Sequence, residues 1–409
     1  MKLSEELAWR GFVAETTIKD PSELDNRKSK QFYWGADPSA DSLTIGNLAA
    51  LMMCACFVRH GYRPYLLVGG ATGQIGDPKD TTERELKSLE EIEHNKKCIR
   101  AQIERVISHD QTSLVLLDNL DWFKDMGYLA FLREIGKAFS MTQLMDRKFI
   151  KSRMGEGGSG ISYAEFSYTL IQGYDFLHLN RTYGIDLQLC GADQYGNASS
   201  GIALIRKLEN KRADVWSTPL VIDPVTGRKF GKSEGNAVWL ANTDNGSGNF
   251  TSVFDFYQFW LNQPDSSVEY LMKIYTIYDH DEVEEILSAH SEAPEKRLAQ
   301  KALALGATSV VHGETAAKAV ESLTARIFDK KITPEDLETA AKNFPVAPLG
   351  SNVLDALVST SLASSKNEAK TLIKSGAISL NFEKILDPAF IIASPSLLKR
   401  GKNRFAVVK

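Results

Sequence analysis

The chain contains 409 residues, which is enough for two to three domains of ordinary size. Hydrophobic residues make up 43% of it and charged residues 24%, a balance that excludes a disordered chain and disfavours a membrane protein. The four cysteines include no Cys-x-x-Cys pair, which argues against a zinc finger and a disulfide framework. No apolar run is long enough for a membrane span or a secretory signal. We therefore expect a cytoplasmic protein with no membrane association.

Charge is distributed unevenly along the chain. Residues 350–409 carry nine Lys or Arg against four Asp or Glu, a net charge of +5, so the preceding residues sum to −9. Lysine and arginine gain free energy by releasing counterions from phosphates, so a basic C-terminal segment favours a polyanionic partner. Ordinary variation of surface charge is the alternative explanation.

The first half of the chain alternates short apolar segments with longer helical patterns, which is typical of α/β proteins with a parallel sheet. Four segments are predicted as strands and one as a helix packed on them: strands at 31–36, 65–68, 114–117 and 185–189, and the helix at 48–58. Because ligands bind where such strands end, the turns after them are candidate site segments.

The second half changes character. Proline and glycine break residues 211–232 into strand and loop, whereas residues 252–328 are predicted to form a separate helical domain. Prolines and a glycine in residues 343–351 mark a linker. The remainder is short and basic, with a predicted helix at 364–374 and predicted strands at 377–381 and 405–408.

Residues 37–47 lie between the first predicted strand and the apolar helix. A helix start offers unpaired backbone N–H groups and a partial positive charge, and Gly46 lets a ligand approach the backbone closely. The segment is therefore a candidate anion site. A capping turn, with Ser39 or Ser42 as the N-cap, is the alternative.

Residues 69–78 follow the second predicted strand and contain four glycines. Their spacing does not match Gly-x-Gly-x-x-Gly, so they indicate close packing or substrate access rather than a dinucleotide fingerprint. Asp77, at the end of this segment, either caps a turn or receives an ammonium group.

Lys229 and Lys232 stand three residues apart in a glycine-containing segment. The Gly-Lys-Ser sequence there is not a Walker loop, because the first glycine of that motif would fall at Thr226. Two such lysines could instead close over phosphates as charge builds on them. A solvated basic turn is the alternative.

Tyr168, Gln172 and Asp175 fall on one face of a predicted helix because they stand at positions i, i+4 and i+7. Their hydroxyl, amide and carboxylate suit a pocket for a small polar aromatic ligand, although such residues also border ordinary cores. After the fourth predicted strand, Asp193 could accept hydrogen bonds from ribose hydroxyls and Gln194 could contact the ligand. A plain turn is the alternative there.

Together and in this order, five segments resemble the bacterial tyrosyl-tRNA synthetases, which are class I aminoacyl-tRNA synthetases. Residues 33–48 resemble the family's His-Ile-Gly-His region, and residues 69–78 its amino-acid-binding strand and loop. Residues 166–175 resemble its tyrosine helix, 191–197 its ribose segment and 229–233 its Lys-Met-Ser-Lys-Ser-type loop. The basic tail resembles a small RNA-binding fold shared with a small-subunit ribosomal protein.

The resemblance implies a role for each matching residue. Six would bind tyrosine: Tyr33 and Asp175 at the phenol, Asp77, Tyr168 and Gln172 at the ammonium group, and Gln194 near the carboxylate. Seven would bind ATP: Gly35, Asp37, Ser39, Gly46, Gly191, Asp193 and Lys232. Four would act on the triphosphate in catalysis: Thr44, Asn47, Lys229 and Lys232.

The resemblance also implies a fold class and partners. The class is α/β, with a Rossmann-like parallel-sheet catalytic domain at 1–240 that contains a dimerisation insertion at about 119–190. An α-helical anticodon-side domain at 250–330, a linker at 331–351 and a small α+β RNA-binding domain at 352–409 would follow. The implied homodimer joins L-tyrosine to tRNA(Tyr), with ATP and Mg²⁺ as a substrate complex, no tightly bound cofactor and no resident metal.

The sequence departs from the family pattern at several site positions. Thr44 and Asn47 replace both signature histidines, and Tyr195 replaces a common tryptophan. We expect Asn47 to keep a hydrogen-bond donor and Thr44 to contact phosphate more weakly or through water. The segment that follows the glycines is one residue short, which leaves open whether Lys79 or Arg84 contacts phosphate.

Two other functions stay open from the sequence. The replaced histidines are compatible with a non-catalytic RNA-binding or regulatory protein built on a synthetase frame, although the lysine loop and the tyrosine trio argue against it. The related tryptophanyl-tRNA synthetases are the second alternative, but Tyr33 with Asp175 suits a phenol better than an indole.

Overall fold

The computed structural model describes residues 1–78, 85–107, 114–145, 148–154, 159–222, 227, 229–230 and 237–409. The chain divides into two compact units. The first contains residues 1–250 and 264–285, and the second contains residues 251–263 and 286–409. Among the described residues, no helix combines the length and the apolar character needed to cross a membrane.

A parallel sheet of five strands organises the described part of the first unit. Its strands are β1 Gln31–Ala36, β2 Arg63–Val68, β3 Val115–Asp118, β4 Leu187–Gly191 and β5 Asp214–Thr218. They lie in the order β3-β2-β1-β4-β5, and every pairing is parallel. The predicted strands and the α/β class are thus confirmed. Strand order reverses at β1 and β4, which creates the crevice at the strand ends where open α/β sheets bind ligands.

Helices precede, connect and follow these strands. Those of the first unit are α1 Leu3–Arg10, α2 Ile45–Arg59, α3 Leu89–Ile107, α4 Leu120–Phe123, α5 Tyr128–Glu134, α6 Met141–Met145, α7 Lys148–Met154, α8 Tyr163–Tyr183, α9 Tyr195–Glu209 and α11 Asp265–Tyr275. Helix α2 contains the predicted apolar helix and is buried along most of its length. Helix α8 carries the predicted tyrosine trio. It begins after Ser162, whose hydroxyl accepts the Glu165 N–H, and ends at Gly184 with φ +70°.

The second unit combines helices with a small mixed sheet. Its helices are α10 Val253–Leu261, α13 Leu298–His312, α14 Glu314–Phe328, α15 Pro334–Ala341, α16 Val353–Ser359 and α17 Lys366–Lys374, and α12 His280–Glu292 contributes residues to both units. Its strands are β6 Val346–Ala347, β7 Ile378–Leu380, β8 Glu383–Lys384, β9 Ser396–Arg400 and β10 Arg404–Val408, in the order β6-β10-β9-β7-β8.

Two features differ from the predicted organisation. The predicted helical region at 252–328 is divided between the units, because residues 264–285 pack with the first one. Strand β6 falls inside the predicted linker and pairs in parallel with β10. The backbone N–H of Val407 donates to the carbonyl of Pro345 at 2.9 Å, so the C-terminal sheet begins before residue 352.

Candidate active site

A buried carboxylate lies at the centre of the site. Asp175, on α8, is 1% exposed. One of its oxygens accepts a hydrogen bond from the Asn119 amide at 3.1 Å, and the other accepts one from the Trp122 indole N–H at 2.9 Å. Burial raises the pKa of Asp175 to about 8, although both of these hydrogen bonds act to lower it. The carboxylate is therefore oriented by two fixed donors.

Tyr33 supplies a phenol beside this carboxylate. Its side chain is 2% exposed and packs on Phe176, with ring centroids 5.1 Å apart. The hydroxyl has no hydrogen-bond partner among the described residues, although it is buried. Burial, and then the nearby charge of Asp175, raise the pKa of Tyr33 well above its ordinary value. A buried hydroxyl without a partner is costly, so this group is suited to a ligand.

A second carboxylate, Asp37, follows strand β1. It accepts hydrogen bonds from the hydroxyl of Tyr168 at 2.8 Å and from the hydroxyl of Thr72 at 2.6 Å. The Asn119 amide also donates to Thr72, at 3.1 Å. Asn119 therefore donates both to Asp175 and to Thr72, and Thr72 in turn donates to Asp37. Gly69 is needed beside this network, since a Cβ there would collide with both Thr72 and Asp37.

A third carboxylate, Asp77, accepts hydrogen bonds from two amides, those of Gln194 at 2.9 Å and Asn197 at 3.4 Å. Asn197 also accepts a hydrogen bond from the Thr169 hydroxyl at 2.9 Å. The Oε1 atom of Gln172 is buried in the same region of α8 and has no partner among the described residues. Asp77 is thus placed on a polar surface shared by α8 and α9.

The carboxylates of Asp37 and Asp77 surround Tyr168 with negative charge. Burial raises the pKa of Tyr168 well above its ordinary value, and the charges of Asp37 and Asp77 raise it further. Asp37 likewise contributes to the raised pKa of Asp175. Acidic side chains gathered at one end of the sheet favour a cation such as an ammonium group as ligand.

Asp118 fixes the turn that carries Asn119. Its carboxylate accepts the backbone N–H groups of Gly70 at 3.0 Å and Leu120 at 2.9 Å. Its other oxygen lies 2.5 Å from the ammonium of Lys96, a lysine that is 6% exposed. Because the ends of β2 and β3 are held together by one side chain, Asn119 is presented rigidly to Asp175.

Most of the predicted nucleotide residues lie at the ends of strands β1 and β4 or shortly after them. Gly35 and Ser39 are exposed near the end of β1, and Asp193 is exposed just after β4. A Cβ on Gly191 would lie 2.7 Å from a carboxylate oxygen of Asp193, so glycine permits this turn. Adjacent parallel strands thus place these residues along the crevice that the strand order predicts.

Thr44 and Asn47 cap helix α2. Thr44 is 3% exposed, and its backbone N–H and its hydroxyl both donate to the Oδ1 atom of Asn47, at 3.0 and 3.1 Å. The backbone N–H of Ile45 donates to the carbonyl of Val238 at 3.0 Å. The alternative in which Ser39 or Ser42 caps the helix is therefore wrong, because the helix begins at Ile45 with Thr44 as its N-cap.

The structure describes one of the two lysines predicted to face phosphate, Lys229, and not the other. Lys229 is exposed and lies opposite Ile222 in a β-bridge. The next residue, Phe230, is buried and donates its backbone N–H to the carbonyl of Val221 at 3.1 Å. Lys232 lies outside the described residues, and so do Lys79 and Arg84.

The structure thus places Tyr33 where the charge of Asp175 acts on it, and it places Asp77 with Gln194. Sequence reasoning missed three residues that donate hydrogen bonds to the site carboxylates: Thr72, at Asp37, and Asn119 and Trp122, at Asp175. A signal was present for two of them, because Asn119 and Trp122 lie within five residues of the end of the predicted strand at 114–117. Turns after parallel strands are where ligand-binding residues concentrate.

Basic residues of the C-terminal sheet lie on its last two strands and in the turn between them. Lys402 lies in the turn between β9 and β10, where it is exposed. Arg400 ends β9 and forms an ion pair with Glu368 at 2.9 Å. Arg404 starts β10 and is exposed. The ammonium of Lys399 lies 5.5 Å from the ring centre of Phe405.

Two family models cover most of the chain. The model of tRNA synthetases class I (W and Y) matches residues 25–329, and the model of the Tyrosine--tRNA ligase SYY-like C-terminal domain matches residues 336–409. The chain therefore belongs to the class I tRNA synthetases of the tryptophan and tyrosine family.

The individual proteins to which the chain is similar include tyrosine–tRNA ligases and tyrosyl-tRNA synthetases. The chain is 38% identical to the tyrosine–tRNA ligase of Macrococcus caseolyticus over 99% of both chains, and 38% identical to that of Streptococcus mutans over the full length of both. Among solved structures, the C-terminally truncated mitochondrial tyrosyl-tRNA synthetase of Aspergillus nidulans has a TM-score of 0.69 and 26% identity, covering 80% of this chain and 94% of that one. The resemblance drawn from the sequence is confirmed.

Proposed function

We propose that the chain is a tyrosine–tRNA ligase. It forms tyrosyl adenylate and pyrophosphate from L-tyrosine and ATP, and then transfers the tyrosyl group to the 3′ end of tRNA(Tyr). The observation that carries this proposal is the pairing of an oriented, buried carboxylate with an unpartnered buried phenol, Asp175 and Tyr33. Full-length similarity to tyrosine–tRNA ligases supports the same conclusion.

The phenol of the substrate fits this pair by hydrogen-bond complementarity. It would donate to Asp175 and accept from Tyr33, which gives the Tyr33 hydroxyl the partner it lacks among the described residues. Phenylalanine would offer no donor to Asp175 and would leave the Tyr33 hydroxyl unpaired, which costs free energy in a buried site. An indole N–H donates but does not accept, so tryptophan would leave Tyr33 unpaired. The pair therefore favours tyrosine over both analogues.

The amino acid's other groups would lie toward Asp77. Its ammonium would meet the Asp77 carboxylate, with Tyr168 and Gln172 beside it. The negative surroundings of Tyr168 and the unpartnered Oε1 of Gln172 support this placement. The Gln194 amide now donates to Asp77, and it would be a donor for the substrate carboxylate.

ATP enters as a substrate with Mg²⁺. We place its ribose at Asp193 and its phosphates between the α2 start and Lys229. The tyrosine carboxylate attacks the α-phosphorus in line, and pyrophosphate leaves with the electrons of the broken P–O bond. The carboxylate is already ionised, so no general base is needed, and the protein acts by positioning the reactants and neutralising charge.

The second step requires tRNA, and the basic C-terminal segment is our candidate for part of its binding surface. Residues 350–409 carry the net charge of +5, and Lys402 and Arg404 are exposed on the β9–β10 hairpin. Such side chains suit sequence-independent contacts to phosphates. The anticodon-side role of residues 250–330 and the cytoplasmic location stay predictions.

We also propose that the protein is a homodimer through residues of the predicted insertion at about 119–190. Several large apolar side chains of this segment are exposed in the single chain: Tyr128, Leu129, Met141, Met154 and Tyr163. Exposed apolar groups concentrated in one segment favour a protein interface. Sedimentation at several protein concentrations tests this assembly.

Exchange of labelled pyrophosphate into ATP tests the proposed activity. Tyrosine should support exchange, while phenylalanine and tryptophan at equal concentration should support little. Exchange with tryptophan alone would instead indicate a tryptophanyl-tRNA synthetase. No exchange with any amino acid, from protein that melts cooperatively, would favour a non-catalytic RNA-binding protein.

A further inference from the structure

His178 stacks on the indole that holds the central carboxylate. The rings of His178 and Trp122 have centroids 4.5 Å apart and an interplanar angle of 19°. The same indole donates its N–H to Asp175 at 2.9 Å. His178 follows Asp175 by three residues on α8, so both side chains project from one face of the helix. One helix therefore presents the carboxylate and a ring that packs on the carboxylate's donor.

We propose that His178 is a positioning residue for amino-acid recognition, which holds the Trp122 N–H on Asp175 and thereby orients the carboxylate toward the substrate phenol. The inference rests on the proposed tyrosine–tRNA ligase activity and adds a residue to its specificity. In this proposed role, His178 does not contact the substrate. It acts only through the indole.

The indole needs such support because its own helix is short. Trp122 lies on α4, which spans only Leu120–Phe123, and its side chain is half-buried at the edge of the core cluster. A stacked neighbour restricts the tilt of an indole ring, and a hydrogen bond weakens steeply when the N–H direction turns away from the acceptor. Loss of the stack would thus weaken one of the two hydrogen bonds that the structure gives Asp175.

The His178 ring is itself held from other sides. Its Nε2 atom lies 3.4 Å from the Thr182 hydroxyl one turn further along α8, and the Tyr174 ring centroid lies 6.1 Å away. Burial and the charge of Arg181 lower the pKa of His178, which favours the neutral form of the ring. A neutral, flat ring in a fixed place is what a stacking support requires.

Substitutions separate stacking from other roles of the side chain. His178→Ala removes the stacked ring, whereas His178→Phe keeps a flat ring without nitrogen atoms. We expect His178→Ala to lower the ratio of kcat/KM for tyrosine to that for phenylalanine in pyrophosphate exchange by about twofold to tenfold, the range expected from one aromatic pair. The KM for ATP should stay unchanged. His178→Phe should restore the ratio.

A double substitution tests whether the effect passes through the indole. Trp122→Phe keeps a ring but removes the N–H, so adding His178→Ala to it should lower the ratio no further. Full additivity of the two substitutions would contradict the inference. An equal loss for tyrosine and phenylalanine in His178→Ala, or a failure of His178→Phe to restore the ratio at an unchanged melting temperature, would also overturn it.

Two further controls keep the result interpretable. If His178→Ala fails to fold, His178→Leu fills similar space without a flat ring, and the same loss of selectivity is expected. If the unsubstituted protein shows tyrosine-dependent exchange but the His178 variants keep its selectivity, only this inference fails. If the unsubstituted protein shows no such exchange, the proposed activity and this inference fail together.

Discussion

Gly46 lies against the backbone of Phe230, so closely that a Cβ on Gly46 would stand 2.6 Å from the Phe230 carbonyl oxygen. Gly46 is in the first turn of α2, and Phe230 follows Lys229. The close approach joins two segments that carry proposed phosphate-binding residues. The residues after the lysine loop are also bound to the α2 start, since Ile45 donates its N–H to Val238 and Leu240 donates its N–H to Leu43.

Gly46→Ala should therefore weaken the activation step. The new methyl group would push the Phe230 backbone away and carry Lys229 with it, and a misplacement of about 1 Å can cost roughly 100-fold in rate. We expect kcat for pyrophosphate exchange to fall at least tenfold, with a smaller change in the KM for tyrosine. Gly127→Ala is the control, since its Cβ would meet no atom within 4 Å. Equal kcat values for the two variants would show that the close approach of Gly46 to Phe230 does not affect the activation step.

The ionisation of Asp175 should appear in the pH dependence of tyrosine use. Burial raises its pKa to about 8. Because the ionised carboxylate is the form that accepts the substrate phenol, kcat/KM for tyrosine should rise from about pH 6.5 to pH 8.5, reporting the free enzyme. The kcat/KM for ATP should change less over the same pH range. A flat profile for tyrosine would contradict the assigned role.

The same ionisation should lower the stability of the folded protein as pH rises, whereas it should raise kcat/KM for tyrosine. A folded-state pKa above the ordinary value of 3.8 means that folded protein retains a proton that unfolded protein releases, so this group's contribution to stability falls as pH rises from about 4 to about 8. Asp175→Asn removes the titrating group. Urea unfolding across that range should therefore show a weaker pH dependence for the variant than for the unsubstituted protein.

Glu6 should stabilise the first unit at neutral pH. Burial would raise its pKa, but the hydrogen bond from His60 and the charges of Arg59 and Arg10 lower it to about 2. The stabilisation is therefore present above about pH 4.5 and is lost as pH falls toward 2. Glu6→Gln leaves the buried Arg10 without its carboxylate and should cost about 3 kcal/mol at pH 7. A cost that stayed constant down to pH 2.5 would exclude this ion pair as its cause.

Charge reversal at the β9–β10 hairpin should separate the two steps of the reaction. Lys402→Glu with Arg404→Glu should raise the KM for tRNA in tyrosine charging, most strongly at low salt, because phosphate contacts are lost. Tyrosine-dependent pyrophosphate exchange should remain unchanged. Charging kinetics that matched those of the unsubstituted protein at physiological salt would remove the hairpin from the tRNA-binding surface.

Sequence patterns predicted the elements of the fold better than the contacts between them. The strand containing Tyr33 and the helix containing Asp175 follow from apolar runs and helical spacing, which are local signals. The hydrogen bond from Tyr168 to Asp37 joins residues 131 positions apart. Such a partner depends on how α8 packs on the sheet, and no local pattern specifies it.

The boundary of the C-terminal sheet likewise depends on contacts between distant residues. Pro345 and Pro348 correctly indicate a break in helical structure, yet β6 lies between them. A two-residue strand is too short for an alternating pattern, and its position is fixed by pairing with β10 at the other end of the C-terminal segment. The resemblance likewise assigns Thr44 to phosphate, whereas its β-bridge to Trp239 joins distant positions that no local pattern specifies.

Substrate selectivity in Tyr33→Phe gives the sharpest test of how the protein would recognise tyrosine. The substitution removes one hydroxyl and keeps the ring that packs on Phe176. The ratio of kcat/KM for tyrosine to that for phenylalanine in pyrophosphate exchange should fall by about threefold to tenfold, the value of one hydrogen bond, because phenylalanine no longer leaves that hydroxyl unpaired. An unchanged ratio in a variant of normal stability would show that Tyr33 does not read the substrate hydroxyl.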